Sequence, residues 1–332
     1  MRNGNGLMDG YGRQHDYLRI SLTGSCNLNC SYCRPAGVAN SYTKAGGGVL
    51  DDSELLRLVR LFAASGVCKV RLTGGEPLLR SGIEGLVERI AGIDGIQRVA
   101  LTTNGTLLEN RLQSLMDAGL SRLNISLDSL NPARFEKITG GDLFPRVWQG
   151  IEVALATAEL ELKLNTVVVR GLNDSELVDF AALTEDNDLT VRFIEYMPFG
   201  DNHWQPELLM GWQEMAERIS RKFPLREEAP QGVARIFGVE GHCGRVGFIA
   251  PLTCCFCQSC SRLRLTADGR LRLCLHDSSE LDLGTMMRTG LTDRQIGDAL
   301  KEALAVKAPG HGRTVSGRAN GPAVACMSSI GG

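Results

Sequence analysis

At 332 residues, the chain is long enough for two domains or for one barrel with an appendage. Apolar residues make up 43% and charged residues 22%, the usual proportions of a globular protein with a buried core. A formal charge of −2, no run of about 18 apolar residues and no secretory signal argue against nucleic-acid and membrane partners and predict a cytoplasmic protein.

The first half of the chain predicts a series of βα units. Residues 1–15 are rich in Gly and Asn and predict a flexible leader, and residues 16–200 alternate β-branched runs with helical patterns. The predicted strands are 17–22, 67–72, 98–103, 122–127, 162–169 and 190–195, and the predicted helices are 53–64, 82–91, 107–118, 147–160 and 174–184. Six units in series predict an α/β fold with a parallel sheet, curled into a partial, six-unit βα barrel.

The pattern changes after residue 200. Residues 201–307 predict a helix near 210–221 and then a small antiparallel unit, and residues 308–332 form a Gly- and Arg-rich tail that ends in Gly331-Gly332. The predicted strands of that unit are 233–239, 245–250, 262–266 and 270–274, the last two joined by the hairpin signal Ala267-Asp268-Gly269. We expect a C-terminal α+β region that closes the barrel.

Five of the six barrel strands carry a polar stripe on one face. Its members are Arg19 and Ser21, Lys69 and Arg71, Asn124 and Ser126, Lys163 and Asn165, and Arg192. Strands of a helix-covered sheet are usually apolar on both faces, and a buried cation needs a partner. Ion pairs with Asp128, Glu76 and Glu195 are one explanation, and a polyanion such as a nucleotide triphosphate is the other. Because acidic side chains on these faces are few, we favour the polyanion.

Eleven cysteines are unusual as disulfides in a cytoplasmic chain and more often bind metal or carry chemistry. Cys26, Cys30 and Cys33 directly follow the first strand, at the end where βα barrels place their active sites. Three thiolates leave one iron of a 4Fe–4S cluster without a protein ligand, so that iron can bind another molecule. A zinc site or a redox site is the alternative for these cysteines.

A second group of three cysteines lies in the C-terminal region, in the spacing Cys257-x2-Cys260-x13-Cys274. A zinc site completed by a further nearby side chain is the structural alternative here, and the candidates are Cys254, Cys255 and His276.

The spacing C-x3-C-x2-C, with Tyr32 just before its last cysteine, resembles the radical S-adenosylmethionine (SAM) superfamily. The run Thr73-Gly74-Gly75-Glu76-Pro77 ends the second predicted strand and is similar to the Gly-Gly-Glu-Pro element of that superfamily, which receives the amino group of SAM. A Gly-Gly-Glu-Pro element alone is weak evidence, but here it follows C-x3-C-x2-C by one βα unit, which makes it strong. The resemblance implies that the open iron binds SAM.

From about residue 16 to the last glycine, the chain resembles the GTP 3′,8-cyclase family of molybdenum cofactor biosynthesis. The matching pieces are Leu18-Arg19-Ile20-Ser21, the first cysteine motif, Lys69 through Pro77, Thr102-Thr103-Asn104-Gly105, Asn124 through Asp128, Arg192 through Met197, the 257–274 region and Gly331-Gly332. The resemblance implies that a 5′-deoxyadenosyl radical takes hydrogen from C3′ of GTP and that the ribose carbon then attacks C8, giving 3′,8-cyclo-7,8-dihydro-GTP.

The resemblance also implies the roles of individual residues. Cys26, Cys30 and Cys33 would hold the SAM cluster, and Cys257, Cys260 and Cys274 a second 4Fe–4S cluster that meets guanine. The residues implied in SAM binding are Tyr32, Gly75, Glu76, Ser126 and Met197. Those implied in GTP binding are Arg19, Lys69, Arg71, Thr102, Lys163, Arg192, Arg262, Leu263 and Arg264. The first three cysteines, Arg262 and Arg264 would carry the chemistry.

The family also implies partners: a flavodoxin-type reductase as electron donor, and cyclic pyranopterin monophosphate synthase, which takes up the product. The oligomeric state is left open, with a homodimer as one possibility. Thr23-Gly24-Ser25 departs from the Thr-Asp-Arg that the family usually has, and Gln258 and Ser261 depart from its second cysteine motif. A peptide-modifying radical SAM enzyme, a two-cluster electron-transfer protein and an inactive paralogue are the competing hypotheses.

Overall fold

A computed structural model of the chain describes residues 6–33, 48–199, 202–276, 279–310 and 327–330. Twelve strands within these ranges form one sheet. In chain order they are β1 Tyr17–Ser21, β2 Lys69–Thr73, β3 Arg98–Thr103, β4 Leu120–Ser126, β5 Glu161–Val168, β6 Thr190–Glu195, β7 Leu225–Gln231, β8 Ala234–Val239, β9 Arg245–Ile249, β10 Arg262–Leu265, β11 Arg270–Arg272 and β12 Glu280–Asp282.

Ten α-helices accompany the sheet in the described ranges. They are α1 Asp52–Ala64, α2 Ile83–Ala91, α3 Leu112–Asp117, α4 Pro132–Thr139, α5 Phe144–Leu155, α6 Leu177–Ala182, α7 Trp212–Ser220, α8 Leu283–Arg288, α9 Asp293–Ala305 and α10 Met327–Ile330. Local sequence sets several of their ends: Asp51 forms a capping box with Glu54 at the start of α1, and Thr292 forms one with Gln295 at the start of α9. None of the described helices is long and apolar enough to cross a membrane.

The order of the strands confirms the predicted partial βα barrel. Strands β1 to β6 lie side by side in chain order and pair in parallel. The two edges of this set continue into the C-terminal region, because β10 pairs in parallel with β1 and β9 pairs in parallel with β6. The parallel part of the sheet therefore extends beyond the six predicted units.

This pairing corrects the small antiparallel unit that we expected after residue 200, because β9 and β10 are parallel members of the barrel sheet. The predicted hairpin is present, since β10 and β11 pair antiparallel around Gly269, whose φ is 87°. However, both outer hairpins extend the barrel sheet, with β8 and β7 beyond β9 and with β11 and β12 beyond β10. A hairpin signal reports only the local antiparallel pairing, and the parallel partners β1 and β6 lie far away in sequence.

The second half of the predicted leader is packed against the barrel, which corrects the expectation of flexibility for residues 6–15. Leu7, Asp9 and His15 are buried. The Leu7 N–H donates to the carbonyl of Ser65 at 3.2 Å, just after α1. Both apolar and polar packing hold this segment, because Leu7 joins the hydrophobic core and Asp9 and His15 form buried hydrogen bonds.

Helix α6 and strands β6 and β9 meet through a cluster of aromatic rings in the core. Phe193 lies between Phe180, with ring centroids 6.3 Å apart, and Phe248, at 5.8 Å. All three side chains are fully buried. The cluster joins the βα units to a strand of the C-terminal region.

Replacing Phe193 by alanine is expected to lower the free energy of unfolding by about 3–5 kcal/mol, because it leaves a cavity between two rings. Denaturant unfolding of the apoprotein measures this change. Val306→Ala is the control, since Val306 is 83% exposed and its loss should change the free energy by about 0.5 kcal/mol or less. Equal effects of the two replacements would contradict the central position of Phe193.

Candidate active site

One large cavity of about 1270 Å³ runs through the barrel. Its walls combine the inner faces of the strands with the loops after β1, β2 and β6 and with the C-terminal region. Both cysteine groups reach it, and the thiol-bearing residues in its wall are Cys26, Cys30, Cys33, Cys257, Cys260 and Cys274. The volume exceeds the range of about 300–1,000 Å³ that is usual for one small ligand. The cavity can therefore hold more than one bound group.

The first cysteine loop is tied to neighbouring loops by backbone and side-chain hydrogen bonds. Asn29 N–H donates to the carbonyl of Thr139 at 2.7 Å, at the end of α4. Asn104 Nδ2 donates to Asn27 Oδ1 at 2.8 Å and lies 3.8 Å from the Cys26 Sγ atom. Burial raises the pKa of the Cys30 thiol, and the nearby Asp128 and Cys26 raise it further. A positively charged group bound here would reverse that effect.

Gly74 and Gly75 allow the loop after β2 to lie directly under the segment that precedes Cys26. A Cβ on Gly75 would stand 2.1 Å from the carbonyl oxygen of Ser25, and Gly74 has a φ of 148°. The Gly75 N–H donates to the carbonyl of Thr23 at 2.7 Å, and the Glu76 N–H donates to that of Ser25 at 2.8 Å. These backbone bonds hold the Thr23-Gly24-Ser25 segment independently of its unusual side chains.

Glu76 does not face the cavity, which corrects its predicted direct contact with SAM. Its side chain is fully buried, and its carboxylate accepts hydrogen bonds from Leu78 N–H, Thr103 Oγ1 and Asn104 N–H at 2.7–3.0 Å. Burial raises its pKa to about 7 despite these bonds. Glu76 therefore supports the loops after β2 and β3, while its neighbour Gly75 lines the cavity.

Tyr32 is fixed between the first cysteine loop and the barrel. Its hydroxyl donates to Asp128 Oδ2 at 2.6 Å, and Asp128 Oδ1 accepts from the Val167 N–H at 2.8 Å. Burial raises the pKa of Asp128 to about 6, although both hydrogen bonds oppose the rise. Tyr32, Ser126 and Met197, three of the residues predicted to bind SAM, all line the same cavity.

The predicted cationic stripe lies inside the cavity. The residues of the predicted GTP set that line it are Arg19, Lys69, Arg71, Thr102, Lys163, Arg192, Arg262 and Arg264. Leu263 is the exception: its side chain is fully buried in the apolar core, because it alternates with Arg262 and Arg264 along β10. Only its backbone could serve a ligand in the cavity.

Several cations of this set are held by neutral groups. Arg71 donates from Nε to the Tyr17 hydroxyl at 2.5 Å and from Nη1 to the carbonyl of Leu101 at 2.9 Å. Arg192 Nε donates to Asn165 Oδ1 at 2.9 Å. Burial, together with the neighbouring Arg71, lowers the pKa of Arg192 to about 9. The site is therefore a desolvated cluster of like charges, which a polyanion would stabilise.

The ion-pair explanation holds for two lysines, but with carboxylates other than those we considered. Lys69 pairs with Asp16 at 2.9 Å, and Lys163 pairs with Glu161 at 2.8 Å. The carboxylates of Asp128, Glu76 and Glu195 accept hydrogen bonds from hydroxyl and backbone N–H groups instead. These three carboxylates thus hold loops together.

The second cysteine group forms the opposite part of the cavity wall. Cys257 begins a short 3₁₀ helix, and the Cys260 N–H donates to the carbonyl of Cys257 at 3.2 Å. Burial raises the pKa of the Cys260 thiol, but the Arg262 guanidinium outweighs it and brings that pKa down to about 7. A thiolate is the form that binds iron, so this environment favours metal binding.

The donor set of each group fits an iron–sulfur cluster. Within the described ranges, no three His, Cys, Asp or Glu side chains gather around one point as ligands of a single ion. The thiolates of a 4Fe–4S cluster bind different irons and stand apart, so cysteines spread along a cavity wall suit it. Cys254 and Cys255 lie beside the second group, and the Cys255 Sγ atom accepts the Cys257 N–H at 3.4 Å.

Two cavity residues were missed as site residues by the sequence analysis. Tyr17 was placed on β1, but we gave it no role, although it stands two residues before Arg19 and so shares its face. Asn124 was placed in the polar stripe without a function. Its side chain is 96% buried, and its Oδ1 atom has no hydrogen-bond partner among the described residues. Counting inward positions along β1 would have identified Tyr17, whereas Asn124 was found by that count but was given no function.

Two protein families match the chain by their sequence profiles. The profile described as the radical SAM superfamily matches residues 20–184, and the profile described as Molybdenum Cofactor Synthesis C matches residues 189–313. The two matches follow one another along the chain. The first covers the βα units and the first cysteine group, and the second covers the region with the second cysteine group.

Similar proteins of known name cover most of the chain. It is 44% identical over 331 residues to the molybdenum cofactor biosynthesis protein moc-5 of Caenorhabditis elegans, which covers 98% of this chain and 54% of that protein. It is 43% identical over 299 residues to the GTP 3′,8-cyclase of Peptoclostridium acidaminophilum, and the match covers 89% of this chain and 91% of that protein. The chain thus spans about half the length of several curated relatives, among them those of Dictyostelium discoideum and Mus musculus, but most of the length of others.

The fold is also similar to that of a solved structure. Streptococcus suis SuiB bound to S-adenosylmethionine matches with a TM-score of 0.55 at 14% identity, over 87% of this chain and 69% of that one. At this identity the likeness supports the fold alone, and it agrees with the partial barrel described above.

Proposed function

Because the chain belongs to the GTP 3′,8-cyclase family of radical SAM proteins, we propose that it converts GTP to 3′,8-cyclo-7,8-dihydro-GTP. Two 4Fe–4S clusters and SAM are the cofactors of this proposal. The reaction would be a committed step in the biosynthesis of the molybdenum cofactor, the process that the names of several relatives state.

The proposal rests on one observation: three features share one cavity. Two groups of three cysteines and a cluster of cations all face the same space of about 1270 Å³. Two clusters alone would need no buried cations, and a simple phosphate site would need no cysteines. The proposed radical enzyme, with two clusters and a nucleoside triphosphate as substrate, would use all three.

The first cluster would be held by Cys26, Cys30 and Cys33, and SAM would lie against Gly75 and Tyr32, with Ser126 and Met197 as its other contacts. Bound there, the cluster and SAM would supply the radical chemistry that removes hydrogen from the ribose of GTP. The protein's own contribution is to hold Tyr32 through Asp128 and to shape the backbone at Gly75. Both residues would orient SAM in this part of the cavity.

The second cluster would be held by Cys257, Cys260 and Cys274, with guanine beside it. Arg262 and Arg264 project from β10 into the same part of the cavity. Guanidinium groups bind phosphate oxygens in pairs, so these residues and the cations on β1, β2, β5 and β6 would fix the triphosphate at the far end of the substrate. A substrate held at both ends presents its ribose in one orientation. A fixed orientation raises the rate of a step in which the reacting atoms must lie close together.

Replacing Tyr17 by phenylalanine is expected to weaken GTP binding about 10-fold, since it removes the acceptor that holds Arg71 Nε in the cavity wall, and a hydrogen bond to a charged group contributes about 1.5 kcal/mol or more. Arg71, Arg19 and Arg192 surround this hydroxyl. Burial raises its pKa, but Arg71 and Arg19 outweigh burial and bring the pKa down to about 8. Above that pH the phenolate repels phosphate. GTP affinity of the parent protein should therefore fall as the pH rises through about 8.

Calorimetric titration with GTP below and above this pH measures both effects. The Tyr17→Phe protein should lose this part of the pH dependence. Tyr11→Phe is the control, because Tyr11 is exposed. Equal affinity and an equal pH profile in the parent and the Tyr17→Phe protein would remove Tyr17 from the substrate site.

The proposed function is tested by anaerobic reconstitution with iron and sulfide, followed by dithionite, SAM and GTP. Mass spectrometry then measures 5′-deoxyadenosine and the cyclised nucleotide, and both products are expected. Deoxyadenosine without cyclised GTP would keep the radical SAM chemistry and point to another substrate. Neither product, from protein with intact clusters, would favour an inactive paralogue.

Other parts of the proposal concern the surroundings of the enzyme. A flavodoxin-type reductase would supply the electron, and cyclic pyranopterin monophosphate synthase would take up the product. A cytoplasmic location, a homodimer and the four-part division of the chain at residues 15, 200 and 307 also remain proposals.

A further inference from the structure

The segment from Asp9 to Tyr17 joins two parts of the chain that are far away in sequence. On one side it meets the loop of the second cysteine group, where the Tyr17 N–H donates to the carbonyl of Ser261 at 3.3 Å. On the other side it meets residues 307–309, which follow α9. We call Asp9–Tyr17 the strap.

Arg13 makes the densest set of contacts in the strap. Its Nη1 atom donates to the carbonyls of Cys257 and Pro309, both at 2.8 Å, and its Nη2 atom donates to the carbonyl of Ala308 at 2.7 Å. One guanidinium thus binds the first cysteine of the second group and the chain after α9 at the same time. Its side chain is 8% exposed, and its bond to Cys257 is partly buried, whereas its bonds to Ala308 and Pro309 lie at the surface.

Asp9 fixes the direction of this guanidinium. Its Oδ2 atom accepts from Arg13 Nε at 2.6 Å and lies 3.0 Å from His15 Nε2, while Oδ1 accepts the N–H groups of Tyr11 and Arg13. Burial raises the pKa of Asp9, but the hydrogen bonds from His15 and Arg13 outweigh it and bring that pKa down to about 2. The carboxylate stays charged, and Arg13 keeps one orientation.

A second cation secures the other end of the same loop. Lys307 is buried, and its Nζ atom lies 3.4 Å from His15 Nδ1 and 3.4 Å from the carbonyl of Arg262. The loop from Cys257 to Arg262 is therefore fixed at its first residue by Arg13 and at its last by Lys307. The only regular structure described within this loop is one short 3₁₀ turn. The hydrogen bonds from Arg13 and Lys307 therefore largely fix the conformation of its backbone.

We propose that Arg13 is a positioning residue for the second iron–sulfur cluster, which it serves by holding the backbone at Cys257 against Ala308–Pro309. This inference rests on the proposed function, because it takes Cys257, Cys260 and Cys274 as ligands of that cluster. The first cluster would be held by the loop after β1, at the opposite end of that strand from the strap. Loss of Arg13 therefore lowers the occupancy of one cluster and spares the other.

The shape of the side chain makes the inference specific. A guanidinium presents several donors in a fixed plane and can bind Asp9 and three carbonyls together, whereas an ammonium group is a single point with three donors. Arg13→Lys should keep the positive charge and the ion pair with Asp9. It should lose some of the three hydrogen bonds to backbone carbonyls. Arg13→Lys should therefore lie between the parent and Arg13→Ala in cluster content.

The experiment compares the reconstituted parent with Arg13→Ala, Arg13→Lys and Arg57→Ala. Arg57 is the matched control, since its guanidinium also binds a carboxylate, Asp293, and a backbone carbonyl, that of Leu291, outside the wall of the cavity. Iron and sulfide per chain are measured with the electron paramagnetic resonance signals of the reduced clusters, the melting temperature and uncoupled SAM cleavage. In Arg13→Ala, iron and sulfide should fall to about half, with the signal of the first cluster and SAM cleavage retained.

The outcomes separate this inference from the proposed function. Parent protein with two clusters and Arg13 variants with the same two clusters would overturn the role of Arg13 alone. Parent protein with only one cluster would overturn the proposed function, and the role of Arg13 with it. If Arg13→Ala does not fold, Arg13→Lys decides: a loss confined to the second cluster supports positioning, and unchanged content or an equal loss of both clusters refutes it.

Discussion

Replacing Cys30 by alanine is expected to abolish the cleavage of SAM, with a loss of at least about 100-fold. Removal of a residue that only supports a metal ligand costs up to about 100-fold, and removal of the ligand itself should cost no less. Cys30 is the middle member of the first group and lies in the cavity wall with Cys26 and Cys33. Two thiolates would leave a second iron open, and the cluster should be lost or unstable.

The measurement is the amount of 5′-deoxyadenosine formed after reduction, together with iron content. Cys243→Ala is the control, because Cys243 is exposed and stands outside both cysteine groups. Its replacement should leave cleavage and iron unchanged. SAM cleavage at the parental rate in Cys30→Ala would exclude this cysteine as a ligand of the SAM cluster.

Replacing Cys274 by alanine should separate the two halves of the reaction. SAM cleavage without cyclisation should persist within about 10-fold of the parent, while the cyclised nucleotide falls by at least about 100-fold. The reason is that Cys274 follows β11 on the opposite part of the cavity wall, next to Arg264 and away from the loop after β1. Its loss removes a ligand of the second cluster and leaves the first loop intact.

Cys254→Ala and Cys255→Ala are the matched controls for this experiment, since both thiols lie in the same stretch of chain as the second group. We expect both variants to keep the cyclised product. If product formation survived in Cys274→Ala and failed in Cys255→Ala, the ligand set of the second cluster would have to include Cys255 instead.

The central fold was predictable because its signals are local and periodic. Strands β1 to β6 fall within two residues of their predicted limits, since each is a short β-branched run between helical patterns. The inward-facing cations followed from alternation along those strands. Helix α4 was missed, although Asn131 as N-cap and Pro132 at the first helical position are start signals that we did not use.

Helices α8 and α9 and strands β7 and β12 were also not predicted. Other differences concern contacts between distant residues. No local pattern pairs β9 with β6 or β10 with β1, because parallel partners leave no turn signal in the sequence. Arg13 was assigned to the flexible leader because its bonds leave no signal in the sequence. Three of its partners are backbone carbonyl groups, which every residue has. The position of Glu76 was also hidden, because a motif identifies the residue type but not the direction in which the side chain points.

The pairing of β10 with β1 has a consequence for how the chain reaches this fold. Residue 17 opens the first strand, yet its neighbour across the sheet is residue 262, so this contact closes a very long loop. During synthesis, β1 to β6 would emerge with both outer strands open to other chains, a state that favours aggregation. We expect slow folding, as is usual for proteins rich in distant contacts, and a fragment that ends near residue 200 should be insoluble. The twelve strands would then form one cooperative unit, which becomes stable only when its last strands arrive.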